Sequence, residues 1–282
     1  MPFDPIDPRA QIKLVAVDMD GTFLDDHGLI PDAAWPLIER LQEREIAFVP
    51  ASGRQYAKLS GQFARLEHAL TFIAENGSLV MRGGTEISSE PIDEALLAEV
   101  LTLLESTEPA LLDALVRCAA NTAYIQDPSA EFAAAIAPYY ASTQLVPTVA
   151  EPSDPSLKLA IHAPGHSAAV AALLEPVSHK IQVVISGENW VDLMNLGVHK
   201  GLAVQNLQRS MGIGAQHTVV FGDYLNDLQM LRSADYSFAM ANAHPEIRTA
   251  ARFRAPKNSE HGVLQVLEQW LDASATLNNF AG

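Results

Sequence analysis

The chain has 282 residues, of which 48% are hydrophobic, and it carries 34 acidic against 18 basic side chains, a formal net charge of −16 at pH 7. This length and hydrophobic content suit one large domain or two modest ones. The acidic balance argues against a nucleic-acid partner and against an anionic membrane surface, because both are bound through Lys and Arg. The only cysteine, Cys118, excludes an internal disulfide and any multi-cysteine zinc site.

The first part of the chain alternates strand-like and helix-like segments. Apolar, β-branched runs predict strands, and segments with helical periodicity lie between them. The predicted strands are 12–17, 46–49 and 71–74, and the predicted helices are 32–44 and 55–66. Strands that alternate with helices predict a parallel sheet with right-handed crossovers.

The middle of the chain, from about 86 to 185, has a different pattern, with fewer helices between its strands. The predicted elements are helices at 93–105, 129–138 and 166–174, and strands at 114–118, 157–162 and 180–185. This pattern suits a small antiparallel sheet with helices on one face.

From about residue 190 the alternating pattern resumes. The predicted strands are 190–195, 217–221 and 236–240, and the predicted helices are 200–211 and 226–233. We therefore expect a core domain built from 1–85 and 187–282 and interrupted by an inserted domain at 86–186. Residues 1–10 and 276–282 are expected to be loose ends.

The N-terminal residues show no basic segment followed by a long apolar region, so no secretory signal is visible. No apolar run approaches the length of a membrane span. The sequence thus predicts a cytoplasmic protein without a membrane or nucleic-acid partner, and it leaves monomer and homodimer open.

The first predicted strand is followed by Asp18-Met19-Asp20-Gly21-Thr22. Residues two apart in an extended chain point the same way, so Asp18 and Asp20 can both face the carboxyl end of the strand, where open α/β sheets bind ligands. Two adjacent carboxylates repel each other unless a cation or a shared proton intervenes. Mg²⁺ prefers carboxylate oxygens and often accompanies phosphate. A polar turn without further function is the alternative for this motif alone.

Two further motifs follow the next predicted strands. Ser52-Gly53-Arg54 precedes a helix, where a hydroxyl and backbone N–H groups can hold an anion, although Ser there is also an ordinary N-cap. Glu75-Asn76-Gly77 reads as a turn at the same sheet edge, which makes it a candidate active-site loop.

Lys200 lies at the start of a predicted helix, in His199-Lys200-Gly201. A cation is unfavourable at a helix N-terminus, so a lysine there either is solvated or has an anion close by.

The segment 222–227 (Gly-Asp-Tyr-Leu-Asn-Asp) follows another apolar strand and precedes a helix. If this strand lies beside the first, Asp223 comes near Asp18 and Asp20. Several carboxylates and the Asn226 amide, with Ser52 and Lys200 nearby, would form an oxygen-ligand Mg²⁺ site with phosphate recognition.

Four of these motifs, in this order, resemble the signature of the haloacid dehalogenase (HAD) superfamily. They are Asp-x-Asp-Gly-Thr at 18–22, Ser-Gly-Arg at 52–54, Lys-Gly at 200–201 and Gly-Asp-x-x-Asn-Asp at 222–227. The large insertion, with Ala241-Asn242-Ala243 and the closing Asn258-Ser259-Glu260-His261-Gly262, resembles the Cof-type branch, subclass IIB. The resemblance implies a Rossmann-like α/β fold: a parallel-sheet core with helices on both faces, and an inserted α/β cap with a mainly antiparallel sheet.

The resemblance also implies roles for individual residues. Asp18 would be the nucleophile that forms an aspartyl-phosphate, and Asp20 the general acid and base. Mg²⁺ would bind Asp18, the backbone carbonyl of Asp20, and Asp223. The phosphate-binding residues would be Ser52, Gly53, Lys200 and Asn226, and the supporting residues Asp227, Arg54 and Asn76.

The implied function is a Mg²⁺-dependent phosphatase of small phosphorylated metabolites, such as sugar phosphates, pyridoxal phosphate or flavin mononucleotide. One alternative is a phosphomutase, in which the phosphoryl group is passed on rather than hydrolysed. Another is a non-catalytic metabolite-binding regulatory protein, which loss of Asp18, Asp20, Lys200 or Asp223 would have favoured; all four are present.

Overall fold

The computed structural model describes residues 4–66, 68–105, 114–126, 129–187 and 189–280. In chain order, the strands are β1 (Leu14–Asp18), β2 (Ala47–Ala51), β3 (Thr71–Ala74), β4 (Leu79–Arg82), β5 (Thr85–Ser89), β6 (Ala114–Cys118), β7 (Ala123–Ile125), β8 (Thr143–Leu145), β9 (Lys158–His162), β10 (Ile181–Gly187), β11 (Trp190–Asn195), β12 (Thr218–Gly222), β13 (Tyr236–Met240) and β14 (Phe253–Ala255). The α-helices are α1 (Ala34–Glu43), α2 (Tyr56–Gln62), α3 (Glu94–Glu105), α4 (Ala130–Ile136), α5 (Ser167–Leu173), α6 (Lys200–Met211), α7 (Leu228–Arg232), α8 (Pro245–Ala250) and α9 (Gly262–Phe280).

The chain divides into two compact units. The first comprises Met1–Ser52, Arg65–Phe72 and His199–Gly282, and the second comprises Gly53–Ala64 and Ile73–Val198. Among the described residues, no helix combines the length and the hydropathy that a membrane span requires.

The first unit is built on a parallel sheet, in which β14, β13, β12, β1 and β2 follow one another. Each of these neighbouring pairs is parallel, and β1 lies in the middle with Val17 opposite Phe221 and Asp18 opposite Ala51. Every residue of β1 and β12 is buried. Strands buried on both faces read as continuous apolar runs, which explains why both were visible in the sequence.

The helices of this unit form two groups that cover the two faces of the sheet. α1 packs against α9, and α7 packs against α6 and α8 as well as against β12. The apolar stripe of α1, which includes Trp35, Ile38 and Leu41, is buried because it covers the sheet.

The second unit contains the β4–β5 hairpin and a six-stranded sheet in the order β10-β11-β9-β6-β7-β8. Its neighbouring strands are antiparallel except β7 and β8. One core contains Leu159, Ile161 and the buried sides of α3 and α5. A second core, on the opposite face, contains Ala160 together with Phe132 and Ile136 of α4.

The structure confirms the predicted fold class, a parallel α/β core with a second, mainly antiparallel sheet. It corrects some details. Helix α4 covers the face opposite α3 and α5, so the helices of the second sheet are not confined to one face. Neither end is loose throughout the described residues, because Ile6 is 1% exposed and α9 runs to Phe280. The predicted domain bounds at 85/86 and 186/187 stay a prediction.

Candidate functional site

Asp18 ends the central strand of the first unit. It is paired with Ala51, the residue before Ser52, and the preceding Val17 is paired with Phe221 of β12. The carboxyl ends of β1, β2 and β12 therefore lie at one edge of the sheet. Asp18 is only 7% exposed there, although it carries a carboxylate.

Lys200 is the direct partner of Asp18. Its Nζ lies 2.5 Å from Asp18 Oδ1 and 2.7 Å from Asp227 Oδ1, and its side chain is fully buried. The expected anion beside this lysine is thus present within the protein, in the form of two carboxylates. Burial opposes the charge on Lys200, but Asp18 and Asp227 outweigh it and raise the pKa of the ammonium.

The residues around Lys200 explain how the lysine reaches this position. His199 caps α6, since its ring Nδ1 accepts a hydrogen bond from Leu202 N at 2.9 Å. Burial lowers the pKa of His199, which favours the neutral ring that can accept this bond. Gly201 faces the backbone of Gln229, and a Cβ there would collide with that backbone. The glycine therefore lets the first turn of α6 approach the backbone of α7.

The turn after β12 places two further carboxylates at this edge. Asp227 Oδ2 accepts hydrogen bonds from the backbone N–H groups of Asp223 at 3.0 Å and Tyr224 at 3.3 Å. Thr22 donates to Asp223 Oδ1 at 2.9 Å. Gly21 has φ +77°, and a Cβ there would meet the Asp223 carboxylate. Gly21 thus makes room for Asp223, and Thr22 then binds it.

The electrostatics of this carboxylate group are unfavourable without a further cation. Burial raises the pKa of Asp18 well above its ordinary value, and Asp227 adds to that shift. Burial and then Asp227 raise the pKa of Asp223 to about 6. When ionised, the three carboxylates exceed the single positive charge of Lys200. The raised pKa values thus result from burial and from repulsion between like charges.

The same group can hold a metal ion. Asp18, Asp223 and Asp227 each offer an oxygen, and these oxygens lie within 4.8 Å of one another. An all-oxygen, anionic set of ligands fits a hard divalent cation such as Mg²⁺, which would offset the excess negative charge. The donor chemistry of the site therefore fits the metal that the sequence predicted.

Three other predicted residues lie at the same edge by their place in the chain. Asp20 is exposed and lies in the turn that follows β1, because the strand ends at Asp18. Ser52 is 2% exposed and follows β2 directly. Asn226 is half-buried in the 3₁₀ turn before α7.

The remaining predicted residues belong to the second unit. Arg54 and Asn76 are buried there, and the Asn76 amide packs against the Cα of Gly53. Asn76 Nδ2 donates to Asp192 Oδ2 at 2.8 Å. Asp192, which the sequence reading missed, stands in a strand with an otherwise apolar centre, and such a buried carboxylate was the available signal.

Two asparagines that were noted only as family markers support the turn after β1. Asn242 Nδ2 donates to the carbonyl oxygen of Gly21 at 2.7 Å, and Asn242 Oδ1 accepts from the Asn258 N–H at 3.2 Å. Asn258 Nδ2 donates to the carbonyl of Leu24 at 3.1 Å. The loops after β13 and β14 thus fix the backbone that carries Asp20.

Comparison with known proteins agrees with this arrangement. Residues 15–267 match the sequence model of the haloacid dehalogenase-like hydrolases. The chain is 33% identical over 268 residues to 5-amino-6-(5-phospho-D-ribitylamino)uracil phosphatase YbjI of Escherichia coli, covering 94% of this chain and 98% of the relative.

Solved structures show the same fold. SMU.1108c from Streptococcus mutans superposes with a TM-score of 0.84 at 29% identity, covering 93% of this chain and 99% of that one. The subclass IIB sugar phosphatase BT4131 superposes with a TM-score of 0.76 at 18% identity, covering 92% and 98% of the two chains. At that identity, the second likeness concerns the fold alone.

Proposed function

Because the chain belongs to the haloacid dehalogenase-like hydrolase family, we propose that it is a Mg²⁺-dependent phosphatase of small phosphorylated metabolites that works through an aspartyl-phosphate. The observation that carries the proposal is the contact of Lys200 with both Asp18 and Asp227 beside Asp223. This is a carboxylate nucleophile, a cation and a metal-ligand set at one strand edge, the parts that phosphoryl transfer needs.

In the proposed reaction, an oxygen of Asp18 attacks phosphorus, and the bond from phosphorus to the ester oxygen breaks. Asp20 gives its proton to the departing oxygen. Asp20 then takes a proton from water, whose oxygen attacks the phosphorus of the aspartyl-phosphate and releases phosphate and the free Asp18 carboxylate. The exposed position of Asp20 on the turn after β1 is compatible with reaching both the leaving group and water.

Side chains and backbone N–H groups on the loops that follow the strands would hold the phosphoryl oxygens. Lys200 supplies positive charge, and Ser52, Gly53 and Asn226 supply hydrogen-bond donors, while Arg54 and Asn76 support the loop. When bound, Mg²⁺ would supply electrostatic stabilisation of the phosphoryl oxygens. Asp18, Asp223 and the carbonyl of Asp20 would hold it, and Asp227, whose carboxylate is also in the buried group, would orient Lys200 and support the metal site.

The substrate class follows from the relative and from the domain organisation. YbjI is named for a phosphate ester of a ribitylaminouracil, a small metabolite with a planar ring. We infer that residues 86–186 form a cap that excludes water during the reaction and contacts the leaving group. A cap of this kind favours small phosphate esters over phosphoproteins.

The test is phosphate release from a panel of small esters in the presence of Mg²⁺. The panel contains the ribitylaminouracil phosphate, sugar phosphates, pyridoxal phosphate and flavin mononucleotide, and the Asp18→Asn variant is the blank. We expect release from one or a few of these by the wild-type protein and none by the variant. Equal release by both proteins would contradict the role of Asp18.

A further inference from the structure

A second buried lysine lies at the start of β9 in the second unit. Lys158 is 2% exposed, and its Nζ lies 2.7 Å from Glu75 Oε2 and 4.0 Å from Asp192 Oδ2. Both carboxylates are buried as well. Burial opposes the charge on Lys158, but Asp192 and Glu75 outweigh it and raise the pKa of the ammonium. Lys158, Glu75, Asp192 and the adjoining Asn76 are called the Lys158 cluster below.

The cluster is bonded to the backbone that follows β2. Lys158 Nζ donates to the carbonyl oxygen of Gly53 at 2.7 Å, and the Glu75 N–H donates to the carbonyl oxygen of Arg54 at 3.1 Å. Two successive carbonyl groups are thus bound from one cluster. In a trans peptide the C=O and the following N–H point in opposite directions. The Lys158 contact therefore also fixes the direction of the Arg54 N–H, away from the cluster.

The turn that carries two members of the cluster is itself strained. Glu75 and Asn76 have φ values of +48° and +57°, which residues other than glycine rarely adopt. Such a conformation persists where the surroundings determine it. Asp192 accepts from Asn76 Nδ2 at 2.8 Å, and a Cβ at Gly53 would lie 2.9 Å from Asn76 Oδ1. Gly53 is thus enclosed by Lys158 and Asn76.

We propose that the Lys158 cluster positions the Gly53–Arg54 peptide for binding the phosphate group of the substrate, with Lys158 as the main positioning residue. The proposal rests on the proposed function, in which Gly53 belongs to the phosphate-binding loop. Backbone N–H groups stabilise an anion best when their directions are set before it arrives. A buried ammonium bonded to the Gly53 carbonyl sets such a direction, and Glu75 and Asp192 hold that ammonium in place.

The test compares two cluster variants with a matched control. Lys158→Met alone would leave two buried carboxylates without their cation. The main variant is therefore Lys158→Met/Glu75→Gln, which removes one charge of each sign. The second variant is Asn76→Gly, which suits a positive φ and adds no buried charge.

The control is Arg117→Met. Arg117 is 1% exposed in the same unit, and its hydrogen bonds within the described chain go to Glu94, Val149 and Asp154.

The measurements are calorimetric titration with inorganic phosphate and Mg²⁺, thermal unfolding, and kcat and KM with p-nitrophenyl phosphate. A misplaced binding group can cost about a hundredfold in rate. We expect a fall of that order in kcat/KM for the double variant, with phosphate affinity reduced about tenfold in both cluster variants. Arg117→Met should unfold at a lower temperature and keep the wild-type phosphate affinity.

Each other outcome has a distinct meaning. Wild-type phosphate affinity in the folded cluster variants would overturn the positioning role of Lys158. Asn76→Gly keeps this test open if the double variant fails to fold. Phosphate binding without turnover of any ester by the wild-type protein would overturn the proposed activity and leave the cluster measurable. No phosphate binding by the wild-type protein would overturn both.

Discussion

The two units each bury a lysine between two carboxylates, yet the two arrangements differ in what else they bind. Lys200 lies between Asp18 and Asp227, and the oxygens of those residues converge with Asp223 on one point. Lys158 lies by Glu75 and Asp192 and also donates a hydrogen bond to the backbone carbonyl of Gly53. In the first arrangement, carboxylate oxygens converge where they can bind a cation. In the second, the lysine donates a hydrogen bond to the protein backbone.

The positions of the two clusters in the fold explain this difference. Lys200, Asp18, Asp223 and Asp227 form the Lys200 cluster, which lies at the carboxyl ends of parallel strands. Side chains from separate turns meet there, and a ligand can enter. The Lys158 cluster lies on the face of the antiparallel sheet that α4 also covers, beside Tyr140 and Cys118. A buried ion pair is weak evidence for stability by itself, and its retention needs another reason. The reason that we propose is catalysis in the first unit and the placement of the Gly53–Arg54 loop in the second.

The largest expected contrast comes from the same isosteric change in each cluster. Asp18→Asn removes the proposed nucleophile and should abolish turnover, a loss of about 10⁴-fold or more. It also removes one of three crowded carboxylates. Burial and the neighbouring Asp227 raise the pKa of Asp18, so its ionised form opposes folding, and the unfolding temperature without metal should not fall. Asp192→Asn keeps an oxygen for Asn76 and leaves Lys158 and Glu75 balanced, so its activity should stay within about tenfold of wild type. Phosphate release and thermal unfolding are measured for both variants. Near-normal turnover in Asp18→Asn would refute the proposed role of Asp18 as the nucleophile.

Metal removal should separate the clusters next. Chelation should stop turnover reversibly, with Mg²⁺ restoring it. Mg²⁺ at a hundred times its dissociation constant should add about 2.7 kcal/mol to the free energy of unfolding. Asp223→Asn should remove most of that gain and Asp192→Asn should keep it, since only Asp223 belongs to the metal-ligand group. Thermal unfolding with and without Mg²⁺, at matched ionic strength, measures the difference. Full activity in excess chelator would contradict the metal site.

Replacing each lysine with methionine gives a third contrast, this time in stability. Lys158→Met leaves two buried carboxylates uncompensated and should cost about 3–5 kcal/mol of unfolding free energy. Lys200→Met leaves a similar excess of negative charge, but there a bound cation can compensate. Adding Mg²⁺ should therefore narrow the stability difference between Lys200→Met and wild type. It should leave the difference between Lys158→Met and wild type unchanged, because those two proteins keep the same metal-ligand group and gain equally from the ion. Urea unfolding with and without Mg²⁺ tests this, and equal recovery in both variants would erase the distinction.

The two sites differ in how well the sequence predicted which residues meet. The first site is formed by residues that follow an apolar strand or open a helix: Asp18, Lys200, Asp223 and Asp227. Alternating strands and helices place such residues at one edge of a parallel sheet, and the order of the strands then decides which of them come into contact. Thr22 belongs to the same motif, yet its bond to Asp223 depends on the turn at Gly21, which periodicity does not reveal.

The Lys158 cluster could not be predicted in the same way. Its members come from the turn after β3 and from two strands of the second sheet, and the register of those strands is set by turns that carry weak local signals. The β4–β5 hairpin and the short strands β7 and β8 were missed for a related reason, since three- to five-residue strands offer little periodicity. A charged residue inside an apolar strand, such as Lys158 or Asp192, was the one usable sign of a buried polar partner.

The smallest effect that we predict concerns Thr22, which touches the carboxylate group through one hydrogen bond. Thr22→Val keeps the shape of the side chain and removes the donor to Asp223 Oδ1. Asp223 would then be free to rotate away from Asp18 and Asp227, so the Mg²⁺ concentration for half-maximal activity should rise about tenfold. The maximal rate at saturating Mg²⁺ should change much less. In the proposed reaction Thr22 would orient the metal ligand Asp223 and would not bind the phosphoryl group. Ser78→Ala, which removes a buried hydroxyl in the second unit, is the control and should leave the Mg²⁺ requirement unchanged. A fall in maximal rate without a change in the Mg²⁺ requirement would assign Thr22 to the substrate rather than to the metal site.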